Sequence, residues 1–175
     1  SVHALTTPLM VKADGTKFGK TESGTVWLDP ELTTPYAFYQ FWLNSDDRDV
    51  PTLLRTFSFR SRAEIEELIA ATTERPQDRA GQRALADELT ALVHGEGERA
   101  AVEAAGKALF GQGDLEALPL ATVASALAEA SHGVVAADEV DDGLLPPIEE
   151  LLVRSGLAAS KGQAKRTVAE GGAYV

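Results

Sequence analysis

The stretch Val11-Lys12-Ala13-Asp14-Gly15-Thr16-Lys17-Phe18-Gly19-Lys20-Thr21-Glu22-Ser23-Gly24 carries three lysines, three glycines and three small hydroxyl residues. It follows an apolar run, Pro8-Leu9-Met10-Val11. A strand leading into a Gly- and Lys-rich loop presents backbone N–H groups and ammonium charges to phosphates. Gly19-Lys20-Thr21 suggests a P-loop, G-x-x-x-x-G-K-[ST], but Asp14 stands where the first glycine belongs. The helix that a P-loop needs after Thr21 is also opposed by Gly24 and the β-branched Thr25 and Val26. Without a phosphate, the same residues make a lysine-rich surface hairpin that turns at Asp14-Gly15.

Lys17-Phe18-Gly19-Lys20-Thr21 resembles the KMSKS loop of class I aminoacyl-tRNA synthetases, in the KFGK[ST] form of bacterial tyrosyl-tRNA synthetases. The flanks PLMVKADGTKFGKTESGTVWLD and PYAFYQFWLNSDDRDV extend the resemblance, which runs on to the last residue. It implies a mainly α chain in three parts. Residues 1–32 are the tail of a class I nucleotide-binding fold with its KMSKS-type loop. Residues 33–131 are an α-helical anticodon-binding bundle. After an acidic linker, 132–145, residues 146–175 begin a small α+β RNA-binding domain. The implied reaction joins tyrosine to ATP as tyrosyl-adenylate and passes it to tRNA(Tyr). Lys17, Lys20 and Thr21 then serve catalysis, and Leu9, Met10, Lys17, Gly19 and Lys20 bind ATP, which brings Mg2+ with it. For Leu9 and Met10, plain core packing is the competing reading.

Composition narrows the chemistry. There are no cysteines, so thiolate metal sites and disulfides are excluded. His3, His94 and His132 are scattered, and no metal ligand is expected. No apolar run reaches the about 18 residues of a membrane span, and no signal pattern opens the chain. The expectation is a soluble cytoplasmic protein with no membrane and no DNA partner. The net charge of −11 is concentrated in residues 61–145, with 6 Lys/Arg against 17 Asp/Glu; residues 146–175 hold 4 against 3. Acidity in the middle reads as a solvated helical surface and leaves the ends able to meet a polyanion.

Thr34-Pro35 reads as N-cap and first position of a helix. Tyr36 to Leu43 is aromatic on every side, so this helix is either buried all round or offers a ring for base stacking. The corner Asn44-Ser45-Asp46-Asp47-Arg48-Asp49 precedes another helix. Its carboxylates either cap that helix or, as the resemblance implies for Asp46, accept from guanine N1–H and N2–H2 of the first anticodon base. Ser61-Arg62-Ala63-Glu64 is a capping box ahead of Ile65, Leu68 and Ile69. Pro76 restarts the chain, and Leu85, Leu89, Leu92 and Val93 form a stripe ended by His94-Gly95. Val102, Ala105 and Leu109 follow, stopped by Gly111, and then Val123 and Leu127.

Residues 132–145 show no periodicity and read as flexible. Ile148, Leu151 and Leu152 build a helix ending at Ser155-Gly156, and Ser160 opens another with Gln163 completing its box. Lys161 and Lys165 share a face with Arg166 beside them. By themselves these cations are a solvated face; by resemblance they contact tRNA phosphates.

Strand-like Ala4-Leu5-Thr6-Thr7 at one end and Gly171-Gly172-Ala173-Tyr174-Val175 at the other suggest a C-terminal portion of a larger enzyme. Its HIGH-like motif, tyrosine pocket and homodimer interface are expected upstream, so these residues alone are expected to be inactive. The alternative is a non-catalytic RNA-binding module descended from such a synthetase; an intact upstream HIGH-like motif in the full-length product favours the enzyme, and its absence favours the module.

Overall fold

The computed structural model describes residues 3–6, 9–21, 24–109, 113–114, 117–129 and 132–173, with Lys20, Thr21 and Glu129 described by backbone alone. The expected features at Thr7, Pro8, Gly111 and Tyr174-Val175 lie outside these residues. The architecture is mainly helical, with eight α-helices among the described residues. They are α1 (Pro35–Leu43), α2 (Val50–Phe57), α3 (Arg62–Glu74), α4 (Ala80–His94), α5 (Glu96–Leu109), α6 (Leu120–Glu129), α7 (Ile148–Arg154) and α8 (Lys161–Ala169). A two-stranded antiparallel ladder joins β1 (Lys20–Thr21) to β2 (Gly24–Thr25), Lys20 opposite Thr25. The chain divides into two compact units, residues 1–125 and 126–175.

The first unit is built around α4, which packs against α1, α2, α3 and α5. Leu85 and Ala86 are fully buried in it, beside Val50 and Leu54 of α2 and Val102 of α5. Gly81 is what lets α4 come so near. A Cβ there would stand 2.4 Å from Val50 Cγ1 and 2.7 Å from Thr72 Oγ1. The Gly81 N–H donates to that same hydroxyl at 3.3 Å. The local signals expected here are in place. Thr34 Oγ1 accepts from Ala37 N, Ser61 and Glu64 close a reciprocal capping box, and Gly95 ends α4 at φ +93°.

α1 is the helix buried all round: Tyr36, Phe38, Tyr39 and Trp42 are buried and none of its residues is exposed. That leaves no ring of α1 splayed for base stacking. Tyr39 donates its hydroxyl to Asp87 Oδ1 at 3.1 Å. Burial, then the Asp87 charge, pushes the phenol pKa well above its usual value.

Other expectations are corrected. Leu92 continues the face of Leu85 two turns on, where nothing covers it, and is 61% exposed. In α6 the buried residues are the small Thr122 and Ala126; Leu127 is left exposed and Val123 half-buried. The strand expected over Thr25–Leu28 stops at Thr25, because Asp29 turns the chain and Thr33 Oγ1 takes the Trp27 N–H. Residues 3–6 and 9–10 carry no ladder, and Val11 pairs with Lys17 as an isolated antiparallel bridge.

In the second unit α7 packs on α8 through a turn in which Gly156 takes φ +75°. α8 ends in a Schellman motif: Gly172 N donates to Thr167 O at 2.8 Å and Gly171 N to Val168 O at 3.1 Å. The acidic stretch read as flexible has local order of its own. Residues Ala137–Glu139 form a 3-10 turn, Asp141 pairs with Leu144, and Glu139 receives a two-pronged contact from Arg154 at 2.8 and 2.7 Å. The fork holds the Glu139 carboxyl down to about 2, with the Ala136 N–H helping. At α8 the Ser160 Oγ accepts from Gln163 N, but Gln163 Oε1 takes the N–H of Ala159 rather than that of Ser160. The box expected there is only half made.

Candidate functional site

The lysine-rich stretch folds as a hairpin turning at Asp14-Gly15. Lys12 N donates to Thr16 O at 2.8 Å, Gly15 N to Lys12 O at 2.8 Å, and Phe18 N to Met10 O at 3.1 Å. Asp14 Oδ1 accepts from both the backbone N–H (2.8 Å) and the hydroxyl (2.6 Å) of Thr16. Those two bonds lower the Asp14 pKa, since each favours the charged form. Gly15 and Gly19 take φ +83° and +76°, the left-handed region, with open space where a Cβ would be. Glycine is thus needed there for conformation, and Gly19 leaves room for a ligand to approach. Lys17 is exposed at the mouth of the hairpin. Leu9 is 67% exposed and so is not core; Met10 is half-buried.

Between the two lysines of KFGKT, Phe18 turns the other way. Its ring meets Phe41 at 5.6 Å, Trp42 at 5.8 Å and Phe57 at 5.6 Å between centroids, joining α1 and α2. Tilted and edge-on pairs of this kind are worth about 0.5–1.5 kcal/mol each beyond the area they bury. Nothing local in the sequence marks Phe18, because its partners lie 23 to 39 positions away.

The polar corner follows α1. Asp46 does not cap α2. It closes a turn on Arg48, accepting from the Arg48 N–H at 2.9 Å, Nε at 3.0 Å and Nη2 at 2.7 Å. These bonds, side chain first, hold its carboxyl down to about 2. The N-cap of α2 is Asp49, yet its side chain makes no cap bond. Asp49 Oδ1 instead accepts from Ala13 N of the hairpin at 2.6 Å. From the other side, Arg79 donates to Leu43 O and Gln82 donates to Asp47 Oδ1. Gln82 is fully buried, so the corner is braced from the core while the Asp46 side chain is 43% exposed.

The third group of candidates lies on α8. Lys161, Lys165 and Arg166 are all exposed, and Lys161 Nζ reaches Glu150 Oε2 at 3.1 Å. Arg154, unmarked in the sequence reading, joins this surface through Glu150 and Glu139. Among the described residues no three His, Asp or Glu side chains gather as a metal ion would require. Among the same described residues, no helix is long and apolar enough to cross a membrane.

A family model described as tRNA synthetases class I (W and Y) matches residues 1–111, the hairpin and most of the helical unit. The chain belongs to this family. As a class I synthetase chain it is 65% identical over 175 residues to a tyrosine–tRNA ligase of Streptomyces coelicolor, covering 100% of this chain and 40% of that protein. It is 54% identical over 176 residues to one from Mycobacterium tuberculosis, again covering 40% of it. The synthetase chain therefore spans about two fifths of the length of these relatives. A solved C-terminally truncated mitochondrial tyrosyl-tRNA synthetase from Coccidioides posadasii is 34% identical with a TM-score of 0.48, over 56% of this chain and 25% of that one.

Proposed function

We propose that this chain belongs to a tyrosine–tRNA ligase and supplies its phosphate-facing hairpin and part of its tRNA-binding surface. The observation that carries the reading is the hairpin itself. Within KFGKT, Lys17 is exposed while the Phe18 ring packs on α1 and α2, in a chain 65% identical to a protein of that name.

The chemistry follows from where charge moves. Attack of the tyrosine carboxylate on the α-phosphate of ATP breaks the bond to pyrophosphate, which leaves with added negative charge. Lys17 and Lys20, on a hairpin with left-handed glycines, meet that charge more closely in the transition state than in the ground state. Thr21 supports the phosphates by a hydrogen bond, and Gly19 admits their approach. Leu9 and Met10 border the adenine, and Mg2+ arrives with ATP as part of the substrate. Tyrosine then passes to the terminal adenosine of tRNA(Tyr).

On the tRNA side, Asp46 reads the first anticodon base, and Lys161, Lys165 and Arg166 hold phosphates. Residues 1–32 complete the catalytic domain, 33–131 bind the anticodon arm, 132–145 link, and 146–175 open the small RNA-binding domain. The whole enzyme is cytoplasmic and homodimeric through its catalytic domain. ATP–pyrophosphate exchange by the full-length protein tests the reading. Exchange should depend on tyrosine and not on tryptophan; exchange driven equally by tryptophan, or by neither, overturns it.

A further inference from the structure

The bonds inside the hairpin fix its shape but not its place, and the contacts that do place it come from α1 and α2. We propose that Phe18 and Asp49 are positioning residues that dock the lysine hairpin on the helical unit and so set where Lys17 and Lys20 stand. This rests on the phosphate-binding reading of those lysines.

Two independent anchors support the inference. One is apolar: the Phe18 ring lies among Phe41, Trp42 and Phe57 at 5.6 to 5.8 Å, while Ala13 to Lys17 are exposed. The other is polar: Asp49 Oδ1 accepts from Ala13 N at 2.6 Å, across 36 positions of sequence. The anchors bracket Lys17, four residues before it and one after. Both also converge on α2, with Asp49 at its N-terminus and Phe57 its last residue.

Asp49 reveals the direction of the trade. An aspartate at an N-cap ordinarily accepts from the N2 or N3 N–H. Here the residue sits at φ −86°, ψ −26°, makes no such bond and spends its carboxylate on the hairpin. Charge reinforces the juxtaposition. The Arg48 pKa is raised by Asp46 first, and also by Asp49 and by Asp14 at the hairpin turn. Gly15 and Gly19 take φ +83° and +76°, with nothing within 4 Å of an added Cβ.

The test uses the full-length protein and reads docking separately from chemistry. Docking is read by hydrogen exchange of the hairpin amides, and chemistry by the rate constant for adenylate formation. Asp49→Ala should speed exchange at Ala13 about tenfold or more and slow activation about ten- to a hundredfold, as expected for misplaced catalytic groups. The tyrosine dissociation constant and the exchange of α4 should stay as in the wild type. Asp49→Asn keeps an acceptor oxygen and should restore most of both. Phe18→Ala should act like Asp49→Ala, and Phe18→Leu, which keeps apolar volume, should fall between. Unchanged hairpin exchange in both Asp49→Ala and Phe18→Ala overturns the docking. Faster exchange with activation at the wild-type rate overturns the positioning role. If Lys20→Ala is also without effect on activation, it is the phosphate reading that has failed, and hairpin exchange still reports whether the anchors hold.

Discussion

Two glycines inside helices of the first unit should respond to alanine with opposite signs. At Gly106 in α5, nothing lies within 4 Å of the added methyl, so Gly106→Ala should stabilise by up to about 1 kcal/mol through helix propensity. At Gly81 the same propensity gain meets Val50 Cγ1 at 2.4 Å and Thr72 Oγ1 at 2.7 Å. Carbon atoms rest about 3.5–4.0 Å apart, so Val50, which is fully buried, must retreat by roughly 1 Å. Overpacking of this kind typically costs about 1–3 kcal/mol. The Gly81 N–H bond to Thr72 Oγ1 is lost if the helices part, at about 1 kcal/mol. The net expectation is about 1–3 kcal/mol of destabilisation. Thermal unfolding followed by circular dichroism should show the midpoint falling by about 2–12 °C for Gly81→Ala and rising by up to about 4 °C for Gly106→Ala. Thr72→Ala should make Gly81→Ala less harmful than the sum of the single changes, because the two sites touch. A Gly81→Ala variant as stable as the wild type would refute this account of α4 packing. Val50 directly follows Asp49, so Gly81→Ala should also loosen the hairpin.

Reversing Lys161, Lys165 and Arg166 to glutamate should weaken tRNA binding and flatten the plot of log K against log salt by about 0.7–0.9 per lost contact; an unchanged slope makes them a solvated face. Asp46→Ala should lower kcat/KM for tRNA(Tyr) by about ten- to a hundredfold, the scale of one good base contact, while tyrosine activation holds steady in the same preparation. Burial lowers the His94 pKa below its ordinary 6.5, opposed by Glu98, and its Nε2 is buried without a hydrogen bond. The unfolded chain therefore takes up the proton first as pH falls. The contribution of His94 is whole above about pH 6.5 and is lost below it. Urea unfolding between pH 5 and 7 should show stability rising with pH, and His94→Leu should flatten that rise.

Local chemistry was legible in the sequence. Thr34-Pro35, the Ser61 and Glu64 box and the glycines closing α4, α7 and α8 each act within four or five residues, and each is where the pattern put it. The hairpin turn at Asp14-Gly15 belongs with them. What the pattern could not carry was partnership across distance. Phe18 looks like one apolar residue in a polar loop until Phe41, Trp42 and Phe57 surround it. Asp49 looks like a cap until Ala13 claims its oxygen. Periodicity also failed where helices approach through small residues. Thr122 and Ala126, not Val123 and Leu127, are the buried residues of α6. The acidic stretch before α7 looked structureless because Glu139 is held by Arg154, 15 positions on.

The central claim is that the KFGKT hairpin stabilises the pyrophosphate leaving group. Pre-steady-state kinetics of Lys17→Ala and Lys20→Ala in the full-length enzyme test it most directly. Removing one transition-state contact should slow adenylate formation by about 10²–10³, on the order of 3 kcal/mol. The tyrosine dissociation constant should stay where it is, and the double variant should lose less than the sum, because both ammonium groups face one leaving group. Activation at the wild-type rate in Lys20→Ala would contradict the claim and leave the hairpin a surface turn.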